Sequence, residues 1–109
     1  MSDFDIKQND TLPKLIANLK NSDGTAINLT GATILHKMKN INNGGGFKVN
    51  AVVTITAATL GTVQYDWIAA DTDTSGEFNS EFEITFSGGA VQTVPTIGQI
   101  SIKVHDDLD

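Results

Sequence analysis

Six consecutive residues, Asp71–Gly76 (D-T-D-T-S-G), carry the densest run of oxygen donors in the sequence. Side-chain oxygens at alternate positions, followed by glycine, match the first half of a calcium-binding loop. The second half departs from it. Phe82 stands where a bidentate glutamate is required, Glu81 and Glu83 flank it, and no helical pattern surrounds the run. The segment therefore reads as a polar turn, in which Asp and Thr oxygens bond nearby backbone N–H groups and Gly76 takes a positive φ. A zinc site needs three or four ligands in one place. The chain offers His36 and His105 and no cysteine, and the spacing of its carboxylates does not complete a set. His36 falls on the inward side of a strand, as a satisfied, partly buried histidine. His105 lies in a polar C-terminal stretch and is expected to face water.

Nucleophilic chemistry is no better provided for. No serine stands in a Gly-x-Ser-x-Gly elbow and no phosphate loop is present. Gly44, Gly45 and Gly46 lead through Phe47 and Lys48 into a strand, whereas phosphate cradles lead into helices; the run reads as a flexible loop. Glu81 and Glu83 share the wet face of one strand, where exposed carboxylates solubilise a sheet. Neither enzymatic activity nor a cofactor is expected.

The elements that carry these residues are strands. In Thr62–Trp67, Val63, Tyr65 and Trp67 alternate with Thr62, Gln64 and Asp66; in Phe78–Phe86, Phe78, Ser80, Phe82, Ile84 and Phe86 alternate with polar residues. A period of two sends neighbouring side chains to opposite sides of a sheet, so these are half-buried antiparallel strands. Phe4–Lys7, Lys14–Lys20, Ala32–Lys39 and Gln99–Val104 follow the same rule, and Ala26–Leu29 and Ala90–Val94 follow it more weakly. Val49–Thr56 is β-branched but lacks a clean alternation, which leaves its register open. Turn signals punctuate the chain at Asn21–Gly24, Thr30–Gly31, Asn40–Gly46, Leu60–Gly61, Asp71–Gly76 and Gly88–Gly89. Roughly nine short strands at this spacing predict one domain over residues 1–109, two sheets packed face to face, with a closed barrel as the alternative. Phe4, Tyr65, Trp67, Phe78, Phe82 and Phe86 are expected to supply much of the core.

The formal net charge is −6, and all basic side chains are lysine. Phosphate-rich partners select basic surfaces and arginine forks, and anionic bilayers select basic ones, so neither nucleic acid nor membrane is expected as a partner. Residues 1–10 lack the basic and apolar regions of a signal peptide, and export by the common secretory route is not expected.

Six segments, taken in order, resemble a phage structural family, the N-terminal domain of baseplate upper proteins and its stand-alone relatives in tailed phages. They are Phe4–Pro13 (F-D-I-K-Q-N-D-T-L-P), Leu29–Ile34 (L-T-G-A-T-I), Gly61–Trp67 (G-T-V-Q-Y-D-W), Asp71–Phe78 (D-T-D-T-S-G-E-F), Glu81–Phe86 (E-F-E-I-T-F) and Ile100–Leu108 (I-S-I-K-V-H-D-D-L). Each is a strand edge with a turn; order and spacing carry the resemblance. It implies an immunoglobulin-like antiparallel β-sandwich in a virion, made in the host cytoplasm, that contacts other virion proteins and forms a homo-oligomer. Tail, baseplate, neck and head decoration all suit a short chain. In this frame Asp71–Phe78 precedes strand F of an immunoglobulin-type domain, with Phe78 in the place of a corner tyrosine, so any corner hydrogen bond must be made otherwise. Phe4 and Ile6 on the first strand, and Gly44, Gly45, Gly46 and Phe47 in the uncharged loop, are the candidate interface. The alternative is a small ligand- or carbohydrate-binding sandwich, which needs exposed aromatics for stacking. Tyr65 and Trp67, the sole tyrosine and tryptophan, fall on the inward face.

Overall fold

The computed structural model describes residues 3–41, 46–95 and 98–106. Among these the chain forms nine strands: β1 (Phe4–Lys7), β2 (Leu15–Asn18), β3 (Thr33–Asn40), β4 (Val49–Val52), β5 (Thr54–Ala57), β6 (Thr62–Tyr65), β7 (Gly76–Thr85), β8 (Val91–Val94) and β9 (Ile100–His105). Two single 3-10 turns, Ala58–Leu60 and Ala69–Asp71, are the helical content of the described residues. One sheet has the order β1-β9-β7-β3-β4, with β8 also paired to β7; the other has the order β2-β6-β5. β9 pairs with Gly76–Ser80 and β8 with Phe82–Thr85, so the two lie end to end along the side of β7 that faces away from β3. The second, sixth and fifth strands face a sheet centred on the third, seventh and ninth. That is the immunoglobulin-type arrangement with an added strand, β4, beside the third.

One pairing departs from the antiparallel expectation. β1 runs parallel to β9, with Phe4 opposite Ile102 and Ile6 opposite Val104. Parallel neighbours need a long connection, and almost the whole chain lies between these two. The larger sheet is therefore mixed.

Alternation builds the core. Phe78, Ser80, Phe82 and Ile84 of β7 are all buried to 1% exposure or less, as are Ile34, His36 and Met38 opposite them on β3. Val63, Tyr65 and Trp67 answer from the smaller sheet's side. Phe4 and Phe86 are only partly buried and pack at the core's margin. Ala26–Leu29 is not a strand: Ile27 and Leu29 are buried, but a single bridge from Ala26 to Lys20 is the ladder it makes. Gly61, at φ 71°, fits where nothing larger would, since a Cβ there would sit 2.4 Å from the Leu19 carbonyl oxygen.

The open register of Val49–Thr56 has a structural answer. β4 pairs with β3, β5 pairs with β6, and the chain changes sheets at Val53, which is buried and donates its N–H to the Ile34 carbonyl at 3.0 Å. The period of two runs through the change unbroken: Val49, Ala51, Val53 and Ile55 point inward, and Asn50, Val52, Thr54 and Thr56 point outward. Val52 obscured the pattern, being an apolar side chain that is 64% exposed.

Candidate interaction surfaces

The polar groups of the core limit what chemistry the interior of the molecule can offer. His36 is fully buried, with Phe82 stacked on it at 5.3 Å and Tyr65 and Trp67 edge-on at 4.6 and 5.6 Å. It occupies the third strand, where immunoglobulin domains place a core tryptophan. Its Nε2 meets the Ser80 hydroxyl at 2.9 Å, but its Nδ1 has no partner among the described residues, and neither has Trp67 Nε1. The expectation of a satisfied, partly buried histidine is thus corrected on both counts. Burial disfavours the imidazolium and lowers the pKa to about 4. His105 is exposed as expected, with Nε2 2.9 Å from Asp5 Oδ1 on the neighbouring strand.

The Asp71–Gly76 segment divides its carboxylates. Asp71 turns inward, where its Oδ2 accepts from the Tyr65 hydroxyl at 2.6 Å and from the Ile68 N–H at 3.0 Å. Burial first, and then Asp71, push the Tyr65 phenol well above its ordinary pKa. Asp73 turns to solvent, where the Lys48 ammonium and then the Thr74 hydroxyl hold its carboxyl below the usual range. The Thr72 hydroxyl donates to the Asp10 carbonyl at 2.8 Å, and Gly76 has φ 146°. Tyr65 makes the corner bond over the crossing from β6 to β7, and Phe78, only 1% exposed, serves the core instead. Sequence reasoning had placed Tyr65 inward without finding its partner; the signal was a buried phenol six residues before an acidic turn. Adding excess calcium is expected to leave the melting temperature unchanged. A rise of several degrees would contradict this geometry, because a ligand bound only by the folded state stabilises it by mass action.

The surfaces differ from one another. On the outer face of the larger sheet, Lys37 bonds Glu83 at 3.1 Å, and the Lys37 and Lys39 ammoniums lie 5.5 and 4.6 Å from the centre of the Phe47 ring. Phe47 and Ile41 are 47% and 46% exposed and border a shallow groove of about 400 Å³ on this face. Leu35 and Val52 are paired across β3 and β4 on the same face, with the Lys37–Asn50 pair between them and Phe47. The outer face of the smaller sheet carries Ile16, Asn18, Thr54, Thr62 and Gln64, with a 2.7 Å hydrogen bond from the Thr62 hydroxyl to Asn18.

The candidate interface residues fare unequally against this map. Ile6 is 3% exposed and belongs to the core, and Phe4 stacks on Trp67 at 5.7 Å, so the first strand spends both side chains inward rather than offering them to a neighbour. The parallel pairing of β1 beside β9 is what turns them in. Gly46 and Phe47 are exposed. Gly44 and Gly45 lie outside the described residues. Val52, Leu35 and Ile41 were missed, and the broken alternation at Val52 was the available signal. Tyr65 and Trp67 are 6% and 4% exposed, which removes them as stacking platforms for a sugar. No protein-family model matches the chain, and no curated protein is similar to it in sequence.

Proposed function

We propose that the protein is a structural component of a tailed-phage virion, in tail, baseplate, neck or head decoration, acting as an adaptor or assembly module. One observation carries the idea that it works by contact. Phe47 and Ile41, both substantially exposed, border one groove on the outer face of the larger sheet, and Val52 is exposed at the other end of the β3–β4 pair. Exposed apolar side chains scattered singly need no explanation, but a group of them along one side marks a surface that meets another protein. Of the charges beside them, Lys37 is engaged with Glu83 and Lys48 with Asp73, while Lys39 lies over the Phe47 ring and Glu81 borders the same groove. The virion setting rests on the ordered resemblance of the six segments from Phe4 to Leu108 together with the sandwich fold.

Deleting the gene from a phage that encodes it tests the reading. Particles are expected to be incomplete or unstable under the electron microscope, with full titre restored by the gene supplied in trans. Normal particles at normal titre without the protein would count against a structural role.

A further inference from the structure

A sandwich ends in strands with unpaired N–H and C=O groups, and proteins guard such edges with charge, proline, bulges or a covering segment. The edges here are guarded unequally. β1 carries Asp5 and Lys7. β2 is framed by Pro13, Lys14 and Lys20, and its far end is bridged to Ala26. β5 has a register shift between Ile55 and Ala57 that interrupts its ladder. β8 runs into Pro95, and its Gln92 side chain is tied to Asn21 at 3.1 Å. β4 is guarded least: Lys48, just before it, is drawn to Asp73, and the strand itself holds no charge or proline. It reads V-N-A-V, and residues 49–65 contain no charged side chain at all.

The ladder fixes which groups are open. Val53 donates to Ile34, and bonding alternates along an antiparallel pair, so Val49 and Ala51 turn their backbone groups to β3 while Asn50 and Val52 turn theirs outward. Two donors and two acceptors two residues apart are self-complementary about a two-fold axis. With Ala51 opposite Ala51 of a second copy, each Asn50 faces a Val52, and four backbone hydrogen bonds close the contact. The same alignment sets the 64% exposed Val52, with Leu35 behind it, opposite Asn50 of the second copy and diagonal to that copy's Val52 on the outer face. No like charges meet across such an edge, despite the net charge of −6.

From this we infer that β4 is a docking edge for a second copy of the chain, joining two larger sheets into one continuous sheet through antiparallel β4–β4 pairing. The inference deepens the proposed contact role by naming a partner and a surface, and it rests on that role only in assuming that the molecule works by contact.

Light scattering after size exclusion, across a wide concentration range, reads the association directly. Hydrogen exchange reads its location. The wild-type protein is expected to pass from monomer to dimer as concentration rises, with slower exchange at the Asn50 and Val52 amides. Val52→Lys, which places two lysines on one edge contact, is expected to weaken the dimer by about tenfold or more; Asn50→Lys should act alike. Ile16→Lys, on the exposed face of β2, should leave it intact. Thermal melts confirm that each variant is folded. A monomer at every concentration, or an association lost in Ile16→Lys and kept in Val52→Lys, would overturn the inference. The gene-deletion result is independent of both, so a monomer whose loss still damages particles would remove β4 pairing and leave the virion role standing.

Discussion

Phe82→Ala is expected to destabilise the fold by about 3–5 kcal/mol, the range for deleting a buried aromatic side chain and leaving a cavity. Phe82 is fully buried at the middle of β7, opposite His36 on one side and Val94 on the other. Its ring stacks on the imidazole, so the cavity would open at the centre of the interface between the sheets. A small domain has only about 5–15 kcal/mol in hand, and such a loss is a large share of it. Glu83→Ala, one residue along, removes a partly exposed ion pair with Lys37 and is expected to cost about 0–1 kcal/mol. Urea denaturation of the two variants separates them. Equal losses would mean that the register of β7 is not the one described.

The second large effect is a loss of stability in mild acid. His36 has a depressed pKa, so the sign is the reverse of the usual paired histidine. Above about pH 6.5 the imidazole is neutral in both folded and unfolded chains and contributes no pH dependence. As the pH falls below that value, the unfolded chain takes up a proton that the folded chain refuses until about pH 4. Stability therefore declines by up to about 1.4 kcal/mol per pH unit over this window, about 3 kcal/mol in all, and levels off below it. His36→Phe keeps an aromatic ring in the slot and removes the titration. Denaturant midpoints at pH 7.5 and pH 5, chosen on either side of about pH 6.5, should converge in the variant and differ in the wild type. The same pH dependence in both proteins would place the titrating group elsewhere.

How much of this could be read from residue types depended on what each strand faces. β6 and β7 were plain because their inward positions hold aromatic and branched side chains and their outward positions are polar, leaving one face only for the core. β4 and β5 hid a perfect alternation behind Val52, since pattern reading assumes that apolar residues point inward. The residue that breaks that assumption is one of several strongly exposed apolar side chains, with Leu12, Ile16 and Val91 exposed to a similar degree. Alternation gave Ile6 a face but not a destination. With β1 paired to the far end of the chain, that face is the core, and nothing local in F-D-I-K reports it. Periodicity also cannot count hydrogen bonds, so the half-satisfied His36 and the Tyr65–Asp71 corner needed side-chain geometry. Of the loop residues offered as contacts, Gly46 and Phe47 are exposed, and Phe47 lies beneath the Lys39 ammonium.

The sandwich is proposed to be a built-in part of a particle rather than a free-acting protein. Quantitative mass spectrometry of density-purified virions, made from the phage that carries the gene, measures it directly. The chain is expected in the particle fraction at a fixed copy number per virion that survives high-salt washing. Recovery of the chain only in the soluble lysate, with none in intact particles, would contradict it.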